Sequence, residues 1–318
     1  MRTSDRAALA VLACAATALT SAAPGPVRQS PPRFRAGVDA VKVDALVTRS
    51  GRPVGGLSAE DFELRDNGVP QAVRFVSVES IPVNLVFVLD VSGSVAGPRL
   101  QSLLAAGRAA VGALRGIDRA ALVTFSHQVT ERTALTADRT RLLDALAAVS
   151  AGGGTSLYDA AYSGLLLEAG GSSRTLALIF SDGLDTSSWL TAPAVVDAAM
   201  QSDGVVYAVT TEAVGSERAV DLLMRNPDRR WRPGELAHLA GIGAGEFLPA
   251  IAAATGGRLL HADDRDLADA FGSAVREFQN RYLLMYVPSG VDRPGWHTIT
   301  LRVKDRSADV QARRGYWR

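Results

Sequence analysis

Three short stretches carry oxygen-bearing side chains in patterns that suit a hard cation. The first is Asn84-Leu-Val-Phe-Val-Leu-Asp90-Val-Ser92-Gly-Ser94, an apolar run that ends in an acid and is followed by two hydroxyls at alternate positions. One carboxylate and two hydroxyls make a poor site for zinc or copper. They suit Mg²⁺, which takes oxygen ligands in near-octahedral geometry and keeps several waters. The second stretch is Gly152-Gly-Gly-Thr155-Ser-Leu-Tyr-Asp159, a glycine-rich loop leading into an apolar-periodic segment. The third, Leu176-Ala-Leu-Ile-Phe-Ser-Asp182-Gly183, is another apolar run closed by an acid. The plainer reading of Asp90 and Asp182 is that each caps a helix following a strand.

Positioning these residues is the work of the elements around them. An unbroken apolar run suits a strand covered on both faces, as in a parallel sheet. Such a strand delivers its last residue to the carboxyl edge, where open α/β sheets bind ligands. From Val83 onward, strand and helix patterns alternate, the signature of a doubly wound, mostly parallel sheet of about six strands. Arg99 to Leu114, Asp138 to Val149, Leu157 to Glu168, Ala194 to Gln201, Phe247 to Thr255 and Asp266 to Asn280 read as helices. Ala120 to Phe125, Thr175 to Ser181, Val205 to Thr210 and Arg258 to His261 read as strands, with Val129 to Leu135 at an edge.

Together the three stretches resemble the metal-ion-dependent adhesion site of von Willebrand factor A (VWA) domains, in which Asp-x-Ser-x-Ser is followed by a Thr and then an Asp. All five positions are filled here, by Asp90, Ser92, Ser94, Thr155 and Asp182. The resemblance implies that Ser92 and Ser94 hold the metal directly, and that Thr155, Asp90 and Asp182 act directly or through water. It implies Mg²⁺, or Mn²⁺ or Ca²⁺ in its place, and a protein partner that offers an Asp or Glu carboxylate to an open coordination position. It further implies that Thr155 moves from water-mediated to direct contact as the partner binds, pulling its loop and the final helix toward a second arrangement.

The flanks differ in character. Val41 to Val47, Phe62 to Arg65 and Val73 to Val78 alternate as strands, and Asp66-Asn-Gly68 is a hairpin signal. Tyr282 to Val287, Trp296 to Val303 and Ala308 to Ala312 read as three more. Neither set can bury an apolar face alone, so the two are expected to share one small sandwich into which the α/β domain is inserted. The run Gly51 to Phe62 with Asp66-Asn-Gly68, and Gly315-Tyr-Trp317 at the end, are similar to the flanks of a group of bacterial secreted VWA-related proteins. The expected layout is a signal peptide at 1–23, a linker at 24–37, β-rich sandwich parts at 38–82 and 281–318, and the VWA domain at 83–280.

The chain has 318 residues, a formal charge of +1 and 47% hydrophobic residues. That allows a large core and makes no electrostatic case for nucleic acid or an anionic membrane. Arg2, Arg6 and the alanine-rich run to Leu19 read as an export signal. That run is too short for a membrane span, so no span is expected in the mature chain. The expected location is secreted, periplasmic or attached to the envelope. Cys14, the only cysteine, is an alternative site for a lipid anchor. The long connection Glu212 to Gly245 carries Arg225, Arg229, Arg230, Trp231 and Arg232, either as a partner-binding patch or as a solvated lid.

His127, His238, His261 and His297 are widely spaced and form no metal-ligand pattern. Asp263, Asp264 and Asp266 read as helix caps, and Asp185 as a residue that tunes the metal loops. A Mg²⁺-dependent phosphatase would need a second acid two places after Asp90, where Ser92 stands. The resemblance implies non-enzymatic, metal-dependent protein binding as the expected function. The alternatives are a structural envelope module whose metal only stabilises the loops and, behind it, a Mg²⁺-dependent phosphatase-like enzyme.

Overall fold

A computed structural model of the chain describes residues 40–78, 81–167, 173–211 and 245–318. The expected export segment and linker, Cys14 and the arginine-rich stretch Arg225 to Arg232 lie outside the described residues. The amino-terminal part forms β1 (Val41–Arg49), β2 (Arg52–Pro53), β3 (Phe62–Asp66), β4 (Val69–Gln71) and β5 (Val73–Ser77). Asn67 and Gly68 link β3 to β4 with φ of 47° and 84°, the two positive angles that a type I′ hairpin turn requires. Ser58 to Asp61 makes a single capped 3-10 turn, with the Asp61 carboxylate accepting from the Ser58 amide at 2.8 Å.

The α/β part follows as β6 (Val83–Asp90), α1 (Pro98–Ala113), β7 (Arg119–Phe125), β8 (Val129–Thr136), α2 (Arg139–Ala147) and α3 (Leu157–Leu166). It continues with β9 (Arg174–Phe180), α4 (Ala192–Gln201), β10 (Val205–Thr210), α5 (Phe247–Ala254), β11 (Arg258–His261) and α6 (Leu267–Gln279). Its six strands lie in the order β11-β10-β9-β6-β7-β8. All the pairs are parallel except β7 with β8. Every residue of β6 is buried, as its unbroken apolar run requires. Leu85, Phe87 and Leu89 pack with α1, α2 and α6 on one face, while Val86 and Val88 pack with α3, α4 and α5 on the other. The chain runs outward from β6 to β7 on one side and returns through β9 on the other. The boundary of β6 and β9 is thus the switch point, where open α/β sheets leave a crevice.

The tail adds β12 (Tyr282–Tyr286), β13 (Trp296–Val303), β14 (Asp309–Ala312) and β15 (Gly315–Trp317). Both resulting antiparallel sheets mix strands from the two ends of the chain. One has the order β14-β1-β12-β5 with β2 on β1, and the other is β15-β13-β3-β4. Val43, Phe62, Leu64, Leu284, Ile299 and Tyr316 fill one core between them. The shared sandwich is as expected, but the tail supplies four strands rather than three. The added one, β15, is only three residues long and pairs through Gly315, where a Cβ would lie 2.3 Å from the His297 carbonyl.

Polar side chains close the cores. In the sandwich, buried Asp66 accepts from Tyr286 at 2.9 Å and Tyr316 at 2.8 Å, and meets His297 Nδ1 at 2.9 Å. His297 is therefore a partnered core residue. At the junction of sandwich and α/β part, Arg281 is fully buried. It donates to the carbonyls of Asp44, Gly256 and Gln311 at 3.1, 2.7 and 3.2 Å and to the Tyr207 hydroxyl at 3.1 Å. Arg174 donates to the Asp44 carboxylate at 3.1 Å and to the carbonyls of Arg281, Phe278 and Gln279 at 2.7, 3.1 and 3.4 Å. It thereby caps the last turn of α6, where the helix dipole favours a cation. Asp118 anchors the same end of the sheet, accepting from the Val83 amide at 2.9 Å, from Arg115 and from Gln279 at 3.0 Å.

Three outcomes follow from this junction. Arg281→Met leaves the Asp44, Gly256 and Gln311 carbonyls without this donor and, at about 1–3 kcal/mol for each buried acceptor left unsatisfied, should lower stability measurably in denaturant unfolding. Ending the chain after Val287 removes β13, β14 and β15, so hydrogen exchange should lose protection throughout Val41 to Ser77. Burial pushes the Asp118 carboxyl up, but hydrogen bonds from the Arg115 side chain and from the Val83 and Arg115 amides outweigh it and hold it below the ordinary range. Its stabilisation is complete above about pH 4 and fades as pH falls through the lower folded value. Asp118→Asn should accordingly flatten the acid limb of the stability curve.

Candidate metal centre

At the carboxyl edge of β6 the chain stops pairing and turns. Asp90 is fully buried there, its two oxygens accepting from the Ser92 amide at 2.9 Å and the Ser181 hydroxyl at 2.8 Å. The turn that follows is a 3-10 segment, Gly93–Val95, which brings the Ser92 and Ser94 hydroxyls to 3.1 Å from each other. Ser94 donates onward to Asp182 Oδ2 at 3.0 Å, and Asp182 Oδ1 accepts from the Leu184 amide at 3.1 Å. A chain of side-chain oxygens therefore runs from Ser92 through Ser94 to Asp182. Ser92 is buried, Ser94 exposed and Asp182 half-buried, so the chain opens from the sheet edge to solvent.

The glycine loop is bound to both neighbours through its backbone. Gly152 donates to the Val91 carbonyl at 2.8 Å, and the Gly93 amide donates to Gly153 at 3.0 Å. Gly153 has φ of +89°, and a Cβ there would lie 2.5 Å from His127 Nδ1, so glycine is needed on both counts. Thr155 is buried; its amide donates to Thr186 Oγ1 at 2.9 Å, and its carbonyl accepts from the amides of Thr186 at 2.8 Å and Ser187 at 3.0 Å. The structure thus joins Asp90, Ser92, Ser94 and Asp182 by side-chain and amide bonds, and ties Thr155 to the Asp182 loop by its backbone.

The donor set fits a small hard cation. Burial pushes the Asp90 carboxyl above its usual range and the charge of Asp182 adds to this, against the hydrogen bonds from Ser92 and Ser181. A cation beside both carboxylates would relieve that cost. The spacings of 3.0 and 3.1 Å match the edge of an octahedron whose metal–oxygen bonds are about 2.0–2.1 Å long, the Mg²⁺ value. Among the described residues, no three His, Cys, Asp or Glu side chains cluster as a metal cage. A cation here therefore depends on the hydroxyls.

Several neighbours have roles the sequence did not suggest. Ser181 orients Asp90; its only signal is a hydroxyl at the end of a buried strand. Asp185 accepts from the Tyr158 amide and from Ser188, both at 3.2 Å through its oxygens, and so holds its own loop. Asp159 accepts from the Trp189 and Leu190 amides at 3.0 and 2.9 Å. Of the three aspartates ahead of α6, Asp266 occupies the cap position without a side-chain cap bond, and Asp264 pairs with Arg99 at 3.4 Å. Capping by side chains, expected there, is not what these acids do.

No curated protein sequence matches the chain. Among solved structures it is similar to the vWF domain of the type V pili tip protein Mfa5 from Porphyromonas gingivalis, at 27% identity and a TM-score of 0.32. That match covers 33% of this chain and 39% of the Mfa5 structure, so the chain spans well under half of it. It is similar to a von Willebrand factor type A protein from Catenulispora acidiphila at 13% identity and TM-score 0.47, covering 89% of this chain and 75% of the other. A third similar structure is proximal thread matrix protein 1 of the mussel byssus with a zinc-occupied MIDAS motif. The identity there is 14% and the TM-score 0.46, over 67% and 49% of the two chains. Residues 85–184 match the family model of the von Willebrand factor type A domain. That span, under half of the chain, contains Asp90, Ser92, Ser94, Thr155 and Asp182.

Proposed function

We propose that the protein is a non-enzymatic binding protein that holds one divalent cation at the β6–β9 edge and captures a carboxylate of a protein partner through it. The observation that carries this reading is the oxygen chain Ser92–Ser94–Asp182, spaced at 3.1 and 3.0 Å over the buried Asp90. Ser92 and Ser94 would hold the metal directly. Asp90, with both oxygens already accepting from Ser92 and Ser181, would act on it through water. Asp182 and Thr155 complete the set. The cation, Mg²⁺ or in its place Mn²⁺ or Ca²⁺, supplies Lewis acidity toward an incoming oxygen. With the neutral Ser92 and Ser94 hydroxyls as direct ligands and Asp90 set behind water, the metal would keep positive charge to offer, and an Asp or Glu carboxylate is the natural ligand for it.

Thr155 is the residue placed to respond, because its loop is held by backbone bonds that a small shift can re-form. A coupled displacement of α6 would have to break the Arg174 bonds to the Phe278 and Gln279 carbonyls, so the proposal confines the response to the loops. Among the described residues no helix is long and apolar enough to cross a membrane. The proposed location, secreted or at the cell envelope with Cys14 as the alternative lipid site, rests on the sequence of the first residues.

The test is calorimetric titration of Mg²⁺ together with capture of partners from an envelope extract with and without chelator. Asp90→Ala should weaken metal binding by roughly 10–100-fold, the usual effect of losing an outer-shell group, with Asp182→Ala at least as severe. Thr155→Ala should reduce metal-dependent capture more than Mg²⁺ affinity. Capture that ignores chelator in the wild type and all three variants would assign the metal a purely structural role.

A further inference from the structure

The loop that carries Asp182 also carries two large apolar side chains that nothing in the fold uses. Trp189 is 95% exposed and Leu184 is 56% exposed. An exposed tryptophan gives up a large burial energy, and aromatic groups of this kind dominate the energetics of protein interfaces. The exposure is not a consequence of a loose loop. The Trp189 and Leu190 amides both donate to Asp159, in the first turn of α3 and four residues beyond Thr155. The Thr186 and Ser187 amides donate to the Thr155 carbonyl, and Asp185 accepts from the amides of Tyr158 and Ser188. The backbone around Trp189 is therefore fixed at several points while its ring stands in water. A rigid aromatic side chain on an immobilised loop loses little entropy when it binds.

The places of Trp189 and Leu184 along the loop define what would fit. Trp189 lies two residues beyond Ser187, whose amide contacts Thr155, so its backbone is at most about 7 Å along the chain from that contact. Leu184 is two residues beyond Asp182, and its own amide is bonded to the Asp182 carboxylate. An extended peptide places side chains of one face about 7 Å apart, every second residue. Of the acids on this rim, Asp159 and Asp185 are engaged by backbone amides and Asp182 belongs to the proposed metal site, while Arg99 is paired with Asp264. The metal is then the group that draws an acid, and Trp189 and Leu184, exposed on the loop that carries Asp182, are the groups that draw an apolar neighbour.

We propose that Trp189 and Leu184 form the specificity-determining half of the partner site, selecting an extended polypeptide in which the metal-binding Asp or Glu has an aromatic or aliphatic residue within three positions. This rests on the metal-dependent reading above and deepens it from a bare carboxylate to a carboxylate with an apolar companion.

The experiment selects a displayed library of random peptides with one fixed central aspartate on the immobilised full chain, in Mg²⁺ and in chelator. It runs in parallel on Trp189→Ser, Leu184→Ser and Asp182→Ala. Wild type in Mg²⁺ should enrich peptides with aromatic or aliphatic residues within three positions of the aspartate. Synthetic copies of those peptides should bind Trp189→Ser about tenfold or more weakly, as for loss of an interface hot spot. The same variant should keep wild-type Mg²⁺ affinity, which also shows that it is folded. Three results overturn the proposal. One is metal-dependent enrichment without apolar preference, or with a preference unchanged in Trp189→Ser and Leu184→Ser; the metal reading then survives alone. Another is enrichment of apolar peptides that persists in chelator and in Asp182→Ala, which makes the aromatic patch a separate site. The last is no metal-dependent enrichment at all, which removes the metal reading together with this one.

Discussion

The buried guanidinium of Arg281 is the constraint on which the rest of the molecule depends. Taking such a cation out of water is costly unless acceptors meet its fork; here they meet both terminal nitrogens, while Nε is buried without a partner. Here the acceptors come from β1, the turn between α5 and β11, β14 and the Tyr207 hydroxyl. Those groups belong to both the sandwich and the α/β part, so neither can be assembled around Arg281 without the other. Arg174 adds a second layer, joining Asp44 in β1 to the last carbonyls of α6. The chain leaves the α/β part at this point, and the sandwich that it enters closes only when strands from both ends of the chain are present.

This arrangement separates the two edges of the central sheet. The amino edge is held by charged groups, with Asp118 binding the first residue of β6 and Gln279 at the end of α6. The carboxyl edge is left to loops, ordered by bonds between their backbones and by Asp90, Asp159, Asp182 and Asp185, which accept from amides and hydroxyls. Gly93, Gly152, Thr155 and Ser181 each contribute one or more bonds there, so three separate loops form one network around Asp90. In the proposed reading, a dication there would meet the Ser92 and Ser94 hydroxyls and the Asp182 carboxylate, with Asp90 buried behind them. With Asp90 set behind water, the ion would still accept an anionic group from outside.

Much of this was legible in the sequence, for identifiable reasons. The apolar run of β6 has no polar interruption, and only a strand covered on both faces tolerates that; the structure buries all of it. The spacing of Asp90, Ser92 and Ser94 carried the turn at the edge, and Asn67-Gly68 fixed the hairpin between β3 and β4. The shared sandwich followed from a simple shortage of apolar surface in each flank. What escaped notice depended on tertiary partners. Arg174 and Arg281 look like ordinary surface residues in sequence, because their acceptors are backbone carbonyls that carry no residue signature. His297 gave no hint of Asp66, more than two hundred residues away. Asp159 and Asp185 stood close to the metal loops, yet their amide partners could be assigned only once the loop 181–191 was placed. β15 was missed because three residues give too little periodicity to register.

The central claim is that a divalent cation seats on the oxygen chain from Ser92 to Asp182, and Mn²⁺ offers the most direct test of it. Crystals of the full chain grown with Mn²⁺, measured near the manganese absorption edge, would locate the ion by anomalous scattering. The account predicts one strong peak at the carboxyl edge of β6, within coordination distance of both Ser92 Oγ and Ser94 Oγ and facing Asp182. No peak at that edge under Mn²⁺ saturation, or a peak whose ligands exclude both serines, would contradict it.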